Sequence, residues 1–215
     1  MNGVLLFAIQ ENVVNLSKPK VDYLKLAEHC ASQISEHMSV PVSLVTNTSW
    51  KSKIFDKIIK VNLHSKQTKK IAGEQILWIN FDRYKCWECT PYENTLVMDT
   101  DFIIKNNSLC HVFDSGKDLL INKTYTDING RTDKTVERLA EHGIDMYWAT
   151  VFYFNKNNRT KIFFDLVEHI QKNWSYYRML YSIGNRSPPK ARIVTPDPPV
   201  NAVKNPQINS TITGV

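Results

Sequence analysis

Glycine is scarce: the 215-residue chain has seven, and none falls into Gly-x-Gly-x-x-Gly or a Gly-Lys-Ser/Thr loop. Backbone cradles around a phosphate depend on such glycines, so their lack weighs against dinucleotide oxidoreductases and P-loop enzymes. A phosphate-bearing ligand would need a metal instead. Gly-x-Ser-x-Gly and His-Glu-x-x-His are missing too, which weighs against serine hydrolases and zinc peptidases. The first apolar run, Val4 to Ile9, has no basic lead-in and no small-residue cleavage site. It is too short for a signal peptide or a membrane span, and a cytoplasmic protein is expected. Four cysteines in a chain without a secretory signal are expected to be reduced thiols. Cys86 and Cys89 have the spacing of half a zinc site or a redox pair, but only the adjacent Cys110-His111 could complete the zinc set, so buried thiols are expected. There is no block of five or six consecutive basic residues, the densest run being "KQTKK" at 66–70. The net charge of +6 still makes polyanions, nucleic acid or phosphate-bearing small molecules, the natural partners.

What is present has the rhythm of strand, helix, strand. "VLLFAI" at 4–9 is a strand buried on both faces that ends in polar "QEN", as in a parallel sheet. Leu24, Ala27, Cys30 or Ala31, Ile34 and Met38 recur at steps of three and four behind Pro19 and Asp22, predicting an amphipathic helix over 22–38. "VSLVT" at 42–46 is the second strand, and "IFDKIIKVNL" at 54–63 mixes strand and turn character. "KQTKKIAGEQ" is polar enough to be an exposed helix or loop, and "ILWINF" at 76–81 is β-rich. "DRYKCWECTPY" predicts a short helix stopped by Pro91, and "TLVMD" the next buried strand. Further strands are expected within 118–131, with an Asn129-Gly130 turn, and within 145–158. Phe163, Val167, Ile170, Trp174, Tyr177 and Tyr181 form a helical stripe whose aromatic face is expected in the core. After Gly184 come six of the nine prolines, so residues 1–184 read as one domain and 185–215 as an extended or disordered tail.

The segment "TLVMDTDFII" puts Asp99 and Asp101 at the end of a buried strand. If extended structure persists they share one side, with Thr100 opposite. Burying two like charges bare costs several kcal/mol each, by order of magnitude. A divalent cation removes that cost, and hard oxygen ligands favour Mg2+ or Mn2+ with open positions for substrate phosphates. In an open α/β sheet, ligands collect at the carboxyl ends of the strands, where "TLVMD" delivers Asp99.

"PYENTLVMDTDFII" resembles the Asp-x-Asp segment of nucleotide-diphospho-sugar glycosyltransferases of the GT-A fold, and is most similar to small transferases of tailed bacteriophages. "YWATVFYF" and "NWSYYRMLY" extend the resemblance over roughly residues 4 to 182. It implies an α/β, GT-A-like single domain with a mixed, mainly parallel central sheet flanked by helices, and a Pro-rich C-terminal tail. It implies a nucleotide-diphosphate sugar as donor and Mn2+ or Mg2+ as cofactor, in the host cytoplasm if the chain is phage-encoded. Asp101 is then the direct metal ligand, with Asp99 on ribose or metal and Thr100 between them at the nucleotide. The loop after the first strand, Ala8, Ile9, Gln10, Glu11 and Asn12, would hold base and ribose, and Arg83 matches a basic position that can face the phosphates. The acceptor is a hydroxyl, with a hydroxymethylated base in phage DNA the leading guess.

Such relatives often take a third metal ligand from beyond the last helix, yet no histidine follows His169. An inverting transfer also needs a base for the acceptor hydroxyl: Asp145 is the first candidate, then Asp127 and Asp114, while Tyr147 and Trp148 are candidates for stacking on a sugar or base. The alternatives are a two-metal nuclease or nucleotidyltransferase, and a non-catalytic nucleic-acid-binding or virion-associated protein on a degenerate transferase fold.

Overall fold

A computed structural model describes residues 1–10, 21–62, 68–71, 74–77, 81–122 and 147–181. The strands are β1 (Asn2–Ala8), β2 (Val42–Thr46), β3 (Lys57–Lys60), β4 (Thr68–Ile71), β5 (Glu74–Leu77), β6 (Asn94–Met98), β7 (Leu119–Asn122) and β8 (Trp148–Asn155). The helices are α1 (Tyr23–Met38), α2 (Cys86–Cys89), α3 (Asn158–Lys172) and α4 (Trp174–Leu180), with 3-10 turns at Phe81–Lys85 and Ser108–Val112. Six strands form one sheet in the order β3-β2-β1-β6-β8-β7. β3, β2, β1 and β6 run parallel, while β8 is antiparallel to both β6 and β7. The result is the mixed, mainly parallel α/β sheet with flanking helices that the sequence leads one to expect.

Alternation along the central strands divides the core in two. Val4, Leu6 and Ala8 of β1 pack with Leu44, Leu96 and Met98 beneath Leu24, Ala27, Cys30 and Ile34 of α1. Leu5, Val45 and Val97 face the other way, against Phe152, Phe154, Phe164 and Val167. The buried face of α1 is the one its periodicity predicts. Asp22 starts that helix by accepting hydrogen bonds from the backbone of Leu24 at 3.1 Å and Lys25 at 3.2 Å, satisfying two of the donors a helix start leaves open.

Three expectations are corrected. "KQTKKIAGEQ" is not helix or loop throughout: β4 and β5 pair antiparallel, Ile71 opposite Glu74. The stripe over 163–181 is not one helix, because α3 ends at Lys172 and α4 begins at Trp174, with Asn173 as the cap between them. Nor is its aromatic face core throughout: Val167 is buried, but no residue of α4 is, and Tyr181 is exposed. Residues 11–20, 123–146 and 182–215 lie outside the described residues, and with them Glu11, Asn12, Asp127, Asp145, the Asn129-Gly130 turn and the Pro-rich tail.

Candidate functional site

In the described chain, β1 leads through α1 to β2 on one side, whereas β6 pairs on the other side of β1. The strand order therefore reverses between β1 and β6, and the parallel register of Leu6 with Met98 brings their carboxyl ends side by side. In an open α/β sheet such a reversal leaves a crevice where the loops diverge. Gln10 follows β1 and the acidic pair follows β6.

Gln10 is held from three directions. Its backbone N–H donates to Asn47 Oδ1 at 2.9 Å, and Asn47 Nδ2 donates to its carbonyl oxygen at 2.9 Å. The Asn47 side chain thus carries the β1–β2 pairing one step beyond the strands. Gln10 Nε2 donates to Asp22 Oδ1 at 3.1 Å, while its Oε1 is buried with no hydrogen-bond partner among the described residues. A buried polar atom without a partner costs about 1–3 kcal/mol, and ligand binding is one way to recover that. Neither Asn47 nor Asp22 stands out in the sequence as part of a site. Asn47 was legible by analogy, as the polar residue just past β2 in the way Gln10 is past β1.

β6 stops at Met98, and Thr100–Asp101 is a turn. Extended structure does not persist, so the two aspartates do not share a strand face. Thr100 is buried and Asp101 exposed. Beyond the turn, Phe102 and Ile104 are buried, and the Ile104 N–H donates to Gln33 Oε1 of α1 at 3.1 Å. The acidic turn is therefore anchored on both sides.

Asp99 is pinned twice, its N–H donating to the Thr150 carbonyl at 3.0 Å and its Oδ1 accepting from Arg83 Nη1 at 2.5 Å. Arg83 Nη2 donates to the same Thr150 carbonyl at 3.2 Å, and the guanidinium carbon lies 5.8 Å from the centre of the Phe152 ring. The Arg83 side chain is 4% exposed and that of Asp99 22%. A buried guanidinium is tolerated only when paired, and Asp99 is that pair. The Asp99 carboxylate is thus compensated by Arg83, so its burial does not require the ion that the sequence reading called for.

Ala8 is fully buried in the core beneath α1. Asp114 is exposed; burial, then the charges of Asp118 and Asp114, raise the Tyr153 hydroxyl, which donates to Asn94 Oδ1 at the opposite end of β6 from Asp99. Tyr147, half-buried, precedes β8, the strand that starts where β6 finishes. All four cysteines are free thiols, Cys30 and Cys86 buried as expected, Cys89 and Cys110 only half-buried. Burial, and secondarily the charges of Asp101 and Asp99, push the Cys30 thiol up to about 12. Burial likewise holds Cys86 well above its ordinary value and pushes Cys89 up to about 11. A redox pair or zinc ligand needs an accessible thiolate, and these shifts oppose one. Among the described residues no three His, Cys, Asp or Glu side chains gather as a ready-made metal cage, and no helix is long and apolar enough to cross a membrane.

No protein-family model matches the chain, and no curated protein matches it significantly. Solved structures similar to it include glycosyltransferases. The glycosyltransferase GlyE of Streptococcus pneumoniae TIGR4 aligns over 83% of this chain and 43% of its own, at 17% identity and a TM-score of 0.45. The galactosyltransferase LgtC, solved with donor and acceptor sugar analogs, aligns over 86% of this chain and 67% of its own, at 14% identity and a TM-score of 0.48. The chain spans less than half the length of GlyE.

Proposed function

We propose that the crevice between β1 and β6 binds a nucleotide-diphosphate sugar and that the chain is a metal-dependent glycosyltransferase delivering the sugar to a hydroxyl acceptor. The observation that carries this reading is the reversal of strand order at β1 and β6, with Asp99 and Asp101 on one lip and the buried Gln10 Oε1, without a partner among the described residues, on the other. The donor set suits Mn2+ or Mg2+: Asp101 and the Asp99 oxygen not taken by Arg83 are hard ligands, too few to fill a coordination sphere, which leaves places for water and substrate phosphates. When bound, such an ion stabilises the negative charge that grows on the leaving diphosphate.

The chain's own groups divide the remaining work. Asp101 would hold the ion, the free oxygen of Asp99 would share it or accept from a ribose hydroxyl, and Gln10 Oε1 would accept an N–H from the base, its amide orientation set by Asp22. Thr100, Ala8 and Asn12 complete the nucleotide contacts as the resemblance implies. Asp145, shortly before β8 in sequence, is the first choice to take the acceptor proton, with Asp127 second. A hydroxymethylated base in phage DNA is the acceptor proposed, in keeping with the net charge of +6.

Thermal denaturation with nucleoside diphosphates and nucleotide sugars, with and without Mn2+, tests the proposal. One of them at about 100 times its Kd should stabilise the protein by about 2.7 kcal/mol, or about 5–10 °C for a chain of this size. The shift should require Mn2+ and be lost in Asp101→Ala. If no nucleotide shifts the transition while DNA binds with steep salt dependence, the non-catalytic nucleic-acid-binding reading replaces this one.

A further inference from the structure

Residues 51–70 hold seven lysines and a single carboxylate, Asp56, so they carry a net charge of +6, the same as the whole chain, and the rest of the chain sums to zero. Four of the seven, Lys51, Lys53, Lys57 and Lys60, are exposed on β3 and the loop that leads into it. Among the described strands β3 is the edge of the sheet on that side. Lys69 and Lys70 follow on β4. Among the described residues none of the four forms an ion pair, and Lys60 Nζ donates to the neutral Ser49 Oγ at 3.3 Å. Elsewhere, by contrast, Arg83 pairs with Asp99, Arg159 with Asp118, Lys161 with Asp165 and Lys172 with Glu168, while Lys156 Nζ donates to the Thr90 carbonyl.

Ile58 packs into the core beneath α1 and Ile59 into the opposite one, so alternation puts Lys60 with the first and Lys57 with the second, one on each face of the edge. Along the strand they are about 10 Å apart, a length over which a duplex presents about three phosphates on each strand. Edge lysines keep a strand from pairing with another chain, but Lys51 and Lys53 lie off β3 and do not serve that end. Charges spread over ten residues exceed what a single diphosphate can meet. A membrane surface would need apolar side chains beside the cations, and the exposed large hydrophobic residues lie elsewhere, chiefly on α3 and α4. A regular polyanion fits best. Lys60 is level with Thr46, and the next residue, Asn47, holds Gln10, so the basic edge reaches the same end of the sheet as the crevice.

We propose that β3 and the loop before it form a docking surface for duplex DNA, held through its phosphates and so without regard to base sequence. The contact stands on the charge pattern alone; its purpose, to hold a DNA acceptor, rests on the reading above.

The test is the fluorescence anisotropy of a labelled, unmodified DNA duplex of about 20 base pairs, titrated with the full chain at about 50 to 200 mM salt. Each lysine on a phosphate contributes about −0.9 to the slope of log K against log salt. Lys57→Gln/Lys60→Gln should make that slope shallower by about 2 and weaken binding at low salt by about tenfold or more. Lys51→Gln/Lys53→Gln should do the same, and because it alters no strand it decides the matter if circular dichroism shows the β3 variant unfolded. The charge-matched Lys105→Gln/Lys117→Gln, which removes two exposed lysines between β6 and β7 in the chain, should leave affinity and slope unchanged. Equal losses in the edge and control variants would trace binding to net charge and overturn the proposal, as would a parent protein that binds no duplex at low salt. Vesicles of anionic lipid are the second probe: if the edge variants lose vesicle binding and keep DNA binding, the surface belongs to a membrane and the proposal fails. Edge-dependent DNA binding in a protein that no nucleoside diphosphate stabilises would uphold this surface and overturn the transferase reading. A Mn2+-dependent nucleotide shift without DNA binding would do the reverse.

Discussion

Gly3 is a residue whose side-chain hydrogen is set by its neighbour. A Cβ there would lie 2.5 Å from ring atoms of Tyr92, and the ring cannot swing away, because Tyr92 is 1% exposed and its hydroxyl bonds Ser43 Oγ at 2.7 Å. Gly3→Ala should therefore destabilise by about 1–3 kcal/mol, read from urea denaturation. In Gly3→Ala/Tyr92→Leu the two costs should be less than additive, since the smaller side chain removes the clash. Cys30 gives a second residue-level prediction. Its ordinary thiol value of 9.0 rises to about 12 in the fold, chiefly through burial. The folded state thus holds this proton more tightly than the unfolded one, so the contribution to stability is complete below pH 9 and lost as pH rises from about 9 to 12. Urea midpoints at pH 8 and pH 10.5 should fall further in the parent than in Cys30→Ala; an equal fall in both would refute the assignment.

Elements owe their limits to a few polar side chains. α3 begins at a reciprocal cap, in which the Thr160 N–H donates to Asn157 Oδ1 at 3.0 Å and the Asn157 N–H to Thr160 Oγ1 at 3.2 Å. Asn157→Ala should cost about 1 kcal/mol, measured by thermal denaturation, without altering nucleotide binding, because the cap belongs to the packing of α3. At the other end Asn173 donates from both backbone N–H and Nδ2 to the carbonyl of His169. A side chain that competes for the backbone in this way ends a helix, and the stripe from Phe163 to Tyr181 could not reveal it, since spacing reports faces and not local hydrogen bonds. β4 was hidden for a different reason. Its polar residues carry no apolar alternation, so nothing in the segment alone predicts a strand, whereas Ile76 and Leu77 of its partner β5 already open the β-rich "ILWINF".

For the whole molecule, stability is graded from the middle of the sheet outward. β2 is buried along its whole length, as are Val4–Leu6 of β1 and Thr95–Met98 of β6, whereas β3 at one edge and β7 at the other contain no fully buried residue. Amide hydrogen exchange should be slowest in β1, β2 and β6 and faster in β3 and β7. The proposed crevice, at the ends of β1 and β6, would then sit on the most rigid part of the fold. Rapid exchange in β6 would refute this and deprive the acidic turn of its platform.

The sequence alone determined α1, β1, β2, β6 and β8, because their burial follows from periodicity and continuous apolar runs, and it singled out Gln10, Arg83 and the acidic pair from residue type and strand ends. Only the tertiary structure decided that Arg83 pairs with Asp99, 16 positions along the chain. It also decided that the strand stops at Met98, so Asp99 is drawn inward while Asp101 turns to solvent. Both outcomes depend on the β8 carbonyl of Thr150, which fixes Arg83 and the Asp99 backbone together. A carbonyl brought in from a strand 67 positions beyond Arg83 leaves no trace in the pattern of either segment.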